Sequence, residues 1–234
     1  MWNGKKKAIT FSYDDGVTQD VRLVELFNKY GVKATFNINS ALFGVESNLP
    51  CKVRKISHVR IKAEDVRPLY EGHEVAGHTL THPSLLTLSD DAIVKEVEED
   101  RLRLSELVGY EVVGFAYPGG SAYRDERVDR IVREKTGARY ARGTDTTGGF
   151  AIPEDLYHFK GTAYHHKDWN TLWQTAEQFL ALDSDEPALF YIWGHAYEFD
   201  IYPERWQQFE EFLAMLSGRE DVFYGTNREV LLGE

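Results

Sequence analysis

Two short apolar runs in this chain end in residues that carry chemistry, and that placement restricts the fold more than any other feature. Ala8-Ile9-Thr10-Phe11-Ser12-Tyr13 has the length and apolar content of a buried strand and runs straight into Asp14-Asp15-Gly16. Glu74–Gly77 reads as another strand and ends at His78-Thr79-Leu80-Thr81-His82. Beyond these, strand-like runs alternate with helix-period segments, which predicts an α/β fold with a parallel sheet and helices outside it. Both reactive clusters then fall just past strand ends, where such sheets and barrels hold active sites.

The patterning places strands at 8–13, 34–38, 74–77, 112–117, 139–142, 188–193 and 222–224. Helices are expected at 17–30, ending at Gly31, and at 125–136, 170–182 and 202–217. The longest covers 89–108, with Ser89 as N-cap and Ile93, Val97, Leu104 and Val108 along one face. Residues 145–152 read as a loop, and 39–61 fit neither period and look like an insertion with a basic stretch from Lys52 to Arg60. A length of 234 residues suits one domain spanning 1–234.

A net charge of −11 argues against nucleic-acid and anionic membrane partners, whose phosphates want a basic face. No stretch has the apolar length of a membrane span. The single cysteine, Cys51, excludes an internal disulfide framework and fits a reducing compartment; the basic start lacks a signal-peptide cleavage pattern. A cytoplasmic location is expected, with a secreted domain whose signal peptide has been removed as the alternative, and a neutral or weakly charged small substrate.

Carboxylate oxygens and imidazole nitrogens together suit a borderline divalent metal, and three protein ligands leave room for water and substrate. If one of two adjacent aspartates binds the metal, its neighbour is free to take a proton, the pairing that hydrolysis needs. Taken singly, Asp14-Asp15-Gly16 could be a turn with a helix cap, and the HxxxH spacing could be chance. Their joint position at strand ends favours a metal site. Trp169, next to Asp168, and Trp193, two residues before His195, are candidate rings for stacking on a substrate, whereas His58, His73 and His158 read as surface or structural.

Thr10-Phe11-Ser12-Tyr13-Asp14-Asp15-Gly16 resembles the first motif of the NodB-homology polysaccharide deacetylases, carbohydrate esterase family 4. Gly72-His73-Glu74-Val75-Ala76-Gly77-His78-Thr79-Leu80-Thr81-His82 resembles the second, Phe115-Ala116-Tyr117-Pro118-Gly119-Gly120 the third, and Trp193-Gly194-His195 the last. The resemblance implies a distorted, partly open (β/α) barrel. It implies that Asp15, His78 and His82 hold one divalent metal, Zn²⁺ first, with Co²⁺, Ni²⁺, Mn²⁺ or Fe²⁺ as alternatives. Asp14 would be the general base and His195 the general acid. Gly119 would offer its N–H to the oxyanion, Tyr117 and Pro118 would line the substrate site, and Thr79 would brace the loop between the histidines.

The sequence departs from that family in informative places. An arginine that orients the base in many members is replaced by Ala116, and Arg142, at the end of a short strand, is the expected substitute. Trp193 stands where a leucine usually lines the acetyl pocket. Asp168 matches the aspartate that partners the acid histidine, with Glu198, three residues past His195, as a competitor. The implied activity is deacetylation of an acetylated carbohydrate, with N-acetylglucosamine-containing glycans first. Alternatives are an O-acetyl (xylan-type) esterase, a hydrolase of cyclic amides or other non-peptide C–N bonds, and a non-catalytic sugar-binding module.

Overall fold

β1 (Lys7–Asp14) is the axis of the molecule, with every residue from Ala8 to Asp14 buried. The structure, a computed structural model, describes residues 2–119, 123–183 and 185–234. Side chains of a strand alternate between faces, and β1 uses the two faces differently. Ile9, Phe11 and Tyr13 enter the main apolar core beneath α1 (Asp20–Lys29) and α7 (Glu204–Leu216). There the Phe11 ring lies 5.0 Å from Phe27 and 6.1 Å from Phe209. A phenylalanine buried in this way is worth about 3–5 kcal/mol against alanine.

Thr10, Ser12 and Asp14 face the other way, into a polar interior. Thr10 Oγ1 donates to Asn227 Oδ1 (2.9 Å), and Asn37 Nδ2 donates to Ser12 Oγ (2.9 Å) and Asp14 Oδ1 (2.8 Å). Lower down, Glu74 accepts from Thr35 Oγ1 (2.8 Å) and Tyr140 OH (2.9 Å). This chain of buried hydrogen bonds leads up to Asp14.

The other sheet strands are β2 (Ala34–Ile38), β5 (Glu74–Gly77), β6 (Gly114–Ala116), β7 (Tyr140–Thr146), β8 (Phe159–Gly161), β9 (Ala163–Tyr164), β10 (Ala188–His195) and β11 (Val222–Tyr224). They pair in the order β8-β7-β6-β5-β2-β1-β10-β9, with β11 added to the start of β1. The pairings are parallel. The two ends, β8 and β9, are consecutive pieces of one bent segment, hinged at Thr162, whose N–H donates to Tyr191 O (2.8 Å). The sheet is thereby curled into a distorted barrel, and parallel strands bring Asp14, Arg142 and His195 toward one rim.

Several elements differ from the sequence expectation. α1 starts at Asp20, not near 17, because Val17 is held in an antiparallel bridge to Arg60 and gives its N–H to the Asp20 carboxylate (3.2 Å). β7 runs on to Thr146, into the expected 145–152 loop. The short β8 and β9, α2 (Ala63–Leu69) and α8 (Asn227–Leu232) were too brief to show a period. The 39–61 segment contains an antiparallel hairpin, β3 (Glu46–Leu49) with β4 (Ile56–Val59), outside the barrel sheet. Ser89 does cap its helix, accepting from Ala92 N (3.3 Å). α3 (Asp90–Val94) continues through a π turn (Lys95–Glu99) into α4 (Asp100–Val108). Among the described residues, no helix is long and apolar enough to cross a membrane.

Candidate active site

Asp14 is the last residue of β1 and Asp15 the first beyond it. Asp15 takes a left-handed backbone (φ 88°), an uncommon conformation for a residue with a side chain. Gly16 follows at φ 63°, where an added Cβ would come within 2.7 Å of Ile38 Cγ2, so this turn requires glycine. The break in strand alternation gives the two carboxylates different surroundings. Asp14 receives the Arg142 guanidinium and Asn37 Nδ2 on the same oxygen, Oδ1. That leaves Oδ2 as the oxygen able to take a proton. Burial pushes the Asp14 carboxyl up, but the charge and hydrogen bond of Arg142, with the charge of His195, outweigh it and hold the pKa below its ordinary value. Asp14 is thus ionised and oriented.

Arg142 is fully buried on β7, in register with Ala116 of the neighbouring strand β6, the position where the family arginine is absent. It reaches the base from one strand over. Its Nη1 donates to Gly143 O (2.9 Å), and its guanidinium lies 4.8 Å from the Trp193 ring.

Asp15 Oδ1, His78 and His82 form the group of ligand atoms expected to hold a metal, all within 4.8 Å of one another. Three features suit them to a cation. Asp15 Oδ1 is buried and accepts no hydrogen bond, while both histidine Nε2 atoms lie 3.9 Å from it. His78 Nδ1 donates to Ala116 O (2.8 Å), which fixes the tautomer and leaves the Nε2 lone pair free. Burial lowers the pKa of His78 to about 4, so the ring is a neutral ligand at physiological pH. The His82 side chain is one-third exposed and marks the open side.

The loop carrying the histidines is held from several directions. Thr79 (φ 69°) and His82 (φ 59°) both have left-handed backbones, and Thr79 Oγ1 accepts from His82 N (3.0 Å). Strain of this kind persists only where surrounding contacts overdetermine it. Asp100 Oδ2 accepts from His78 N (3.0 Å) and Asp100 Oδ1 from Ser40 N (2.7 Å). At the π turn, Glu96 O accepts from Leu80 N (3.0 Å) and its carboxylate from Thr81 N (2.9 Å). Such turns free helix carbonyls for outside donors.

His195 ends β10 and is the register partner of Asp14 across the β1/β10 pair. Its Nδ1 lies 3.3 Å from Glu198 Oε1, within ion-pair range but off the line of a hydrogen bond. Glu198 also accepts from His195 N (3.0 Å), His165 Nε2 (2.7 Å) and the Tyr164 hydroxyl. Burial lowers the His195 pKa, but Glu198, with Asp15 and Asp14 behind it, more than reverses this and carries it to about 9. His165 is packed against Gly194, where a Cβ would come within 2.1 Å of its ring, and receives Tyr13 OH at Nδ1 (3.3 Å). Nothing local in the sequence marks His165; β9 and β10 pairing brings it there.

Some expected site residues are elsewhere. Asp168 is a correction: its carboxylate caps α6 (Trp169–Ala181), accepting from Asn170 N (3.0 Å), Thr171 N (3.2 Å) and Thr171 Oγ1 (2.9 Å). The carboxylate beside His195 is Glu198. The Trp169 ring lies on Phe212 (5.8 Å) and under the Arg205 guanidinium (5.2 Å), and it lines a cavity with His165 and Glu198, behind His195. The Tyr117 side chain is buried against Phe115, its hydroxyl donates to Tyr157 O (3.1 Å), and its N–H is taken by Arg142 O, so it presents no group to a substrate. Pro118 is buried and Gly119 exposed at φ 61°; Gly120 lies outside the described residues. Trp193 does adjoin the site, stacked on Tyr164 (4.3 Å) with its ring 6.0 Å from His195, but only 4% of it is exposed. His58, expected to be structural or on the surface, is buried with Nε2 3.2 Å from Asp15 Oδ2. Arg60 is buried beside it, 3.0 Å from Asp15 Oδ1.

Comparison with known proteins bears on the fold and the family. The solved structure of a candidate polysaccharide deacetylase from Mycobacterium smegmatis superposes with a TM-score of 0.68, at 17% identity over 98% of this chain and 90% of that one. A family 4 carbohydrate esterase from Streptomyces lividans gives a TM-score of 0.54 at 15% identity, over 95% and 92% of the two chains. These share the fold. In sequence, a protein of Arthroderma benhamiae named "Probable peptidoglycan-N-acetylglucosamine deacetylase" is 29% identical over 93 residues, 39% of this chain and 18% of its own. The chain spans less than half the length of the curated relatives it matches. The polysaccharide deacetylase family model matches residues 2–141, and the chain belongs to that family, the NodB-homology deacetylases of carbohydrate esterase family 4.

Proposed function

We propose that residues 1–234 act as one catalytic domain that removes acetyl groups from an acetylated carbohydrate, with N-acetylglucosamine-containing glycans as the first substrate class. The observation that carries this reading is a pair of groups, adjacent across β1 and β10, whose proton affinities are pushed apart. Asp14 is held ionised and His195 held protonated, with its pKa at about 9, beside the Asp15, His78 and His82 trio. Such a separation assigns a base and an acid. Asp15, His78 and His82 would hold one divalent metal, Zn²⁺ first; when bound, it supplies Lewis acidity that polarises the acyl oxygen and acidifies water. Asp14 Oδ2 takes the proton of the attacking water. The Gly119 N–H would stabilise charge on the acyl oxygen. His195 gives its proton to the departing amine or alcohol, and Glu198 stabilises the imidazolium until then.

The substrate is tested by acetate release from N-acetylglucosamine oligomers, acetylated xylan and a cyclic amide. Release from the oligomers is expected; turnover of the cyclic amide alone would replace the proposal with C–N hydrolysis away from sugars. The acid role is tested by pH. A general acid works while protonated, so activity persists below the His195 pKa and falls as pH rises through it, near pH 9. Glu198→Gln removes the charge that raises this pKa and should shift the alkaline limb of kcat/KM downward, toward an ordinary histidine. An unmoved limb would give the acid role to another group.

A further inference from the structure

Two buried side chains of the 39–61 segment, His58 and Arg60, touch Asp15. After β4 the chain docks antiparallel along the turn that follows Asp15. Thr18 N donates to Val59 O (2.8 Å), Val17 bridges to Arg60, and Ile61 N donates to Gly16 O (2.9 Å). This docking brings two buried side chains onto the Asp15 carboxylate and backbone. Arg60 donates to the Asp15 carbonyl and to Asn39 Oδ1 (2.9 Å), holding the left-handed turn, and its guanidinium also lies 3.0 Å from Asp15 Oδ1, on the side away from His58. His58 Nε2 lies 3.2 Å from Asp15 Oδ2, the oxygen turned away from His78 and His82.

We propose that the β3–β4 hairpin is a wall of the metal site and that His58 is a positioning residue, fixing Asp15 so that it offers one oxygen, Oδ1, to the cation. This rests on the metal reading above and extends it to residues outside the ligand set. A carboxylate free to rotate can present either oxygen or both. A donor on Oδ2 selects one orientation and reduces the rearrangement needed on binding.

Local chemistry equips His58 as that donor. Ser47, its cross-strand partner on β3, lies 3.1 Å from His58 Nδ1 through Oγ. The Ser47 hydroxyl itself donates to His58 O (3.0 Å), so the tautomer is set at the other nitrogen: the Asp15 carboxylate can only accept, and the ring hydrogen of that contact sits on Nε2. The imidazole is also wedged edge-on against Tyr197 (5.1 Å), whose ring lies 5.0 Å from that of His195. Tyr197 thus gives the hairpin contact with both halves of the site. The group of mutually close ligand atoms comprises Asp15, His78 and His82, without His58. That separates a positioning role from a fourth ligand.

The test measures metal affinity instead of turnover. Apoprotein of wild type, His58→Ala and His58→Gln is titrated with Zn²⁺ against a chromophoric chelator, and the Co²⁺-loaded forms are compared by visible absorption. His58→Ala should weaken Zn²⁺ by about 10–100-fold, the usual cost of losing a partner behind a metal ligand. His58→Gln, whose amide can still donate to Oδ2, should recover part of it, with the Co²⁺ band positions of wild type kept. Cooperative unfolding of each apoprotein shows that affinity, not folding, has changed. Wild-type affinity in His58→Ala overturns the proposal, and an altered Co²⁺ coordination spectrum in His58→Gln, which keeps a donor for Oδ2 but lacks the imidazole, overturns it by making His58 a ligand. A wild-type protein that binds neither metal removes the metal reading itself, an outcome distinct from either.

Discussion

Asp14→Asn should lower turnover of an acetylated sugar by about 10²–10⁴-fold, the contribution of a positioned general base, while metal content stays near wild type. The two effects separate because the adjacent aspartates face different groups. Asp14 turns into the polar barrel interior, where Asn37 and Arg142 meet its Oδ1, whereas Asp15 turns to His78 and His82. An asparagine at 14 can still accept both hydrogen bonds through its carbonyl oxygen, so the geometry survives. It cannot take a proton from water. Asp15→Asn should show the reverse order, with metal lost first and activity following it. The check is metal per chain beside kcat for both variants; equal metal loss in the two would make Asp14 a ligand and void the base assignment.

Arg142→Ala should have the largest effect on stability and move the pH profile as well. Both partners of the Arg142–Asp14 pair are buried, so removing the guanidinium leaves an unpaired carboxylate inside the barrel. Breaking such a pair costs about 3–5 kcal/mol, and the contact with Trp193 is lost besides. A base works while ionised, so activity is present above its pKa and lost as pH falls through it. Asp14 is held low partly by Arg142; without it the acidic limb of kcat/KM should move upward. Arg142→Lys restores charge without the planar fork, and should recover part of both effects. Denaturant unfolding and a pH series read them separately. An acidic limb unchanged in Arg142→Ala would show that Asn37, not Arg142, governs the base.

What the sequence reveals and hides has a physical pattern. Asp14, Asp15, His78 and His82 are legible because each pair follows directly on a strand run, so local order alone predicts where they emerge. Arg142 is legible for a similar reason, lying on β7 beside the Ala116 position. Asp168 misleads because a carboxylate just before a helix has a local use: Asp168-Trp169-Asn170-Thr171 is a capping sequence, and the cap satisfies the side chain. Glu198 wins the place beside His195 because the chain turns immediately after β10 and folds it back within three residues. His58 and Arg60 are hidden because they reach Asp15 across more than forty residues, through docking of a hairpin whose outer strand, β3, is mostly exposed. No periodicity reports a contact of that kind.

The most direct test of the central claim pairs metal content with acetate release on one preparation. Protein is stripped with chelator, shown by mass spectrometry to hold no divalent metal, and then reloaded stepwise with Zn²⁺ while acetate from N-acetylglucosamine oligomers is followed. Activity should be absent in the stripped protein and rise in proportion to bound metal until about one ion per chain, the count of a mononuclear hydrolytic site. His78→Ala should fail to recover in the same series. Full acetate release by the stripped protein, or by His78→Ala without metal, would contradict the account.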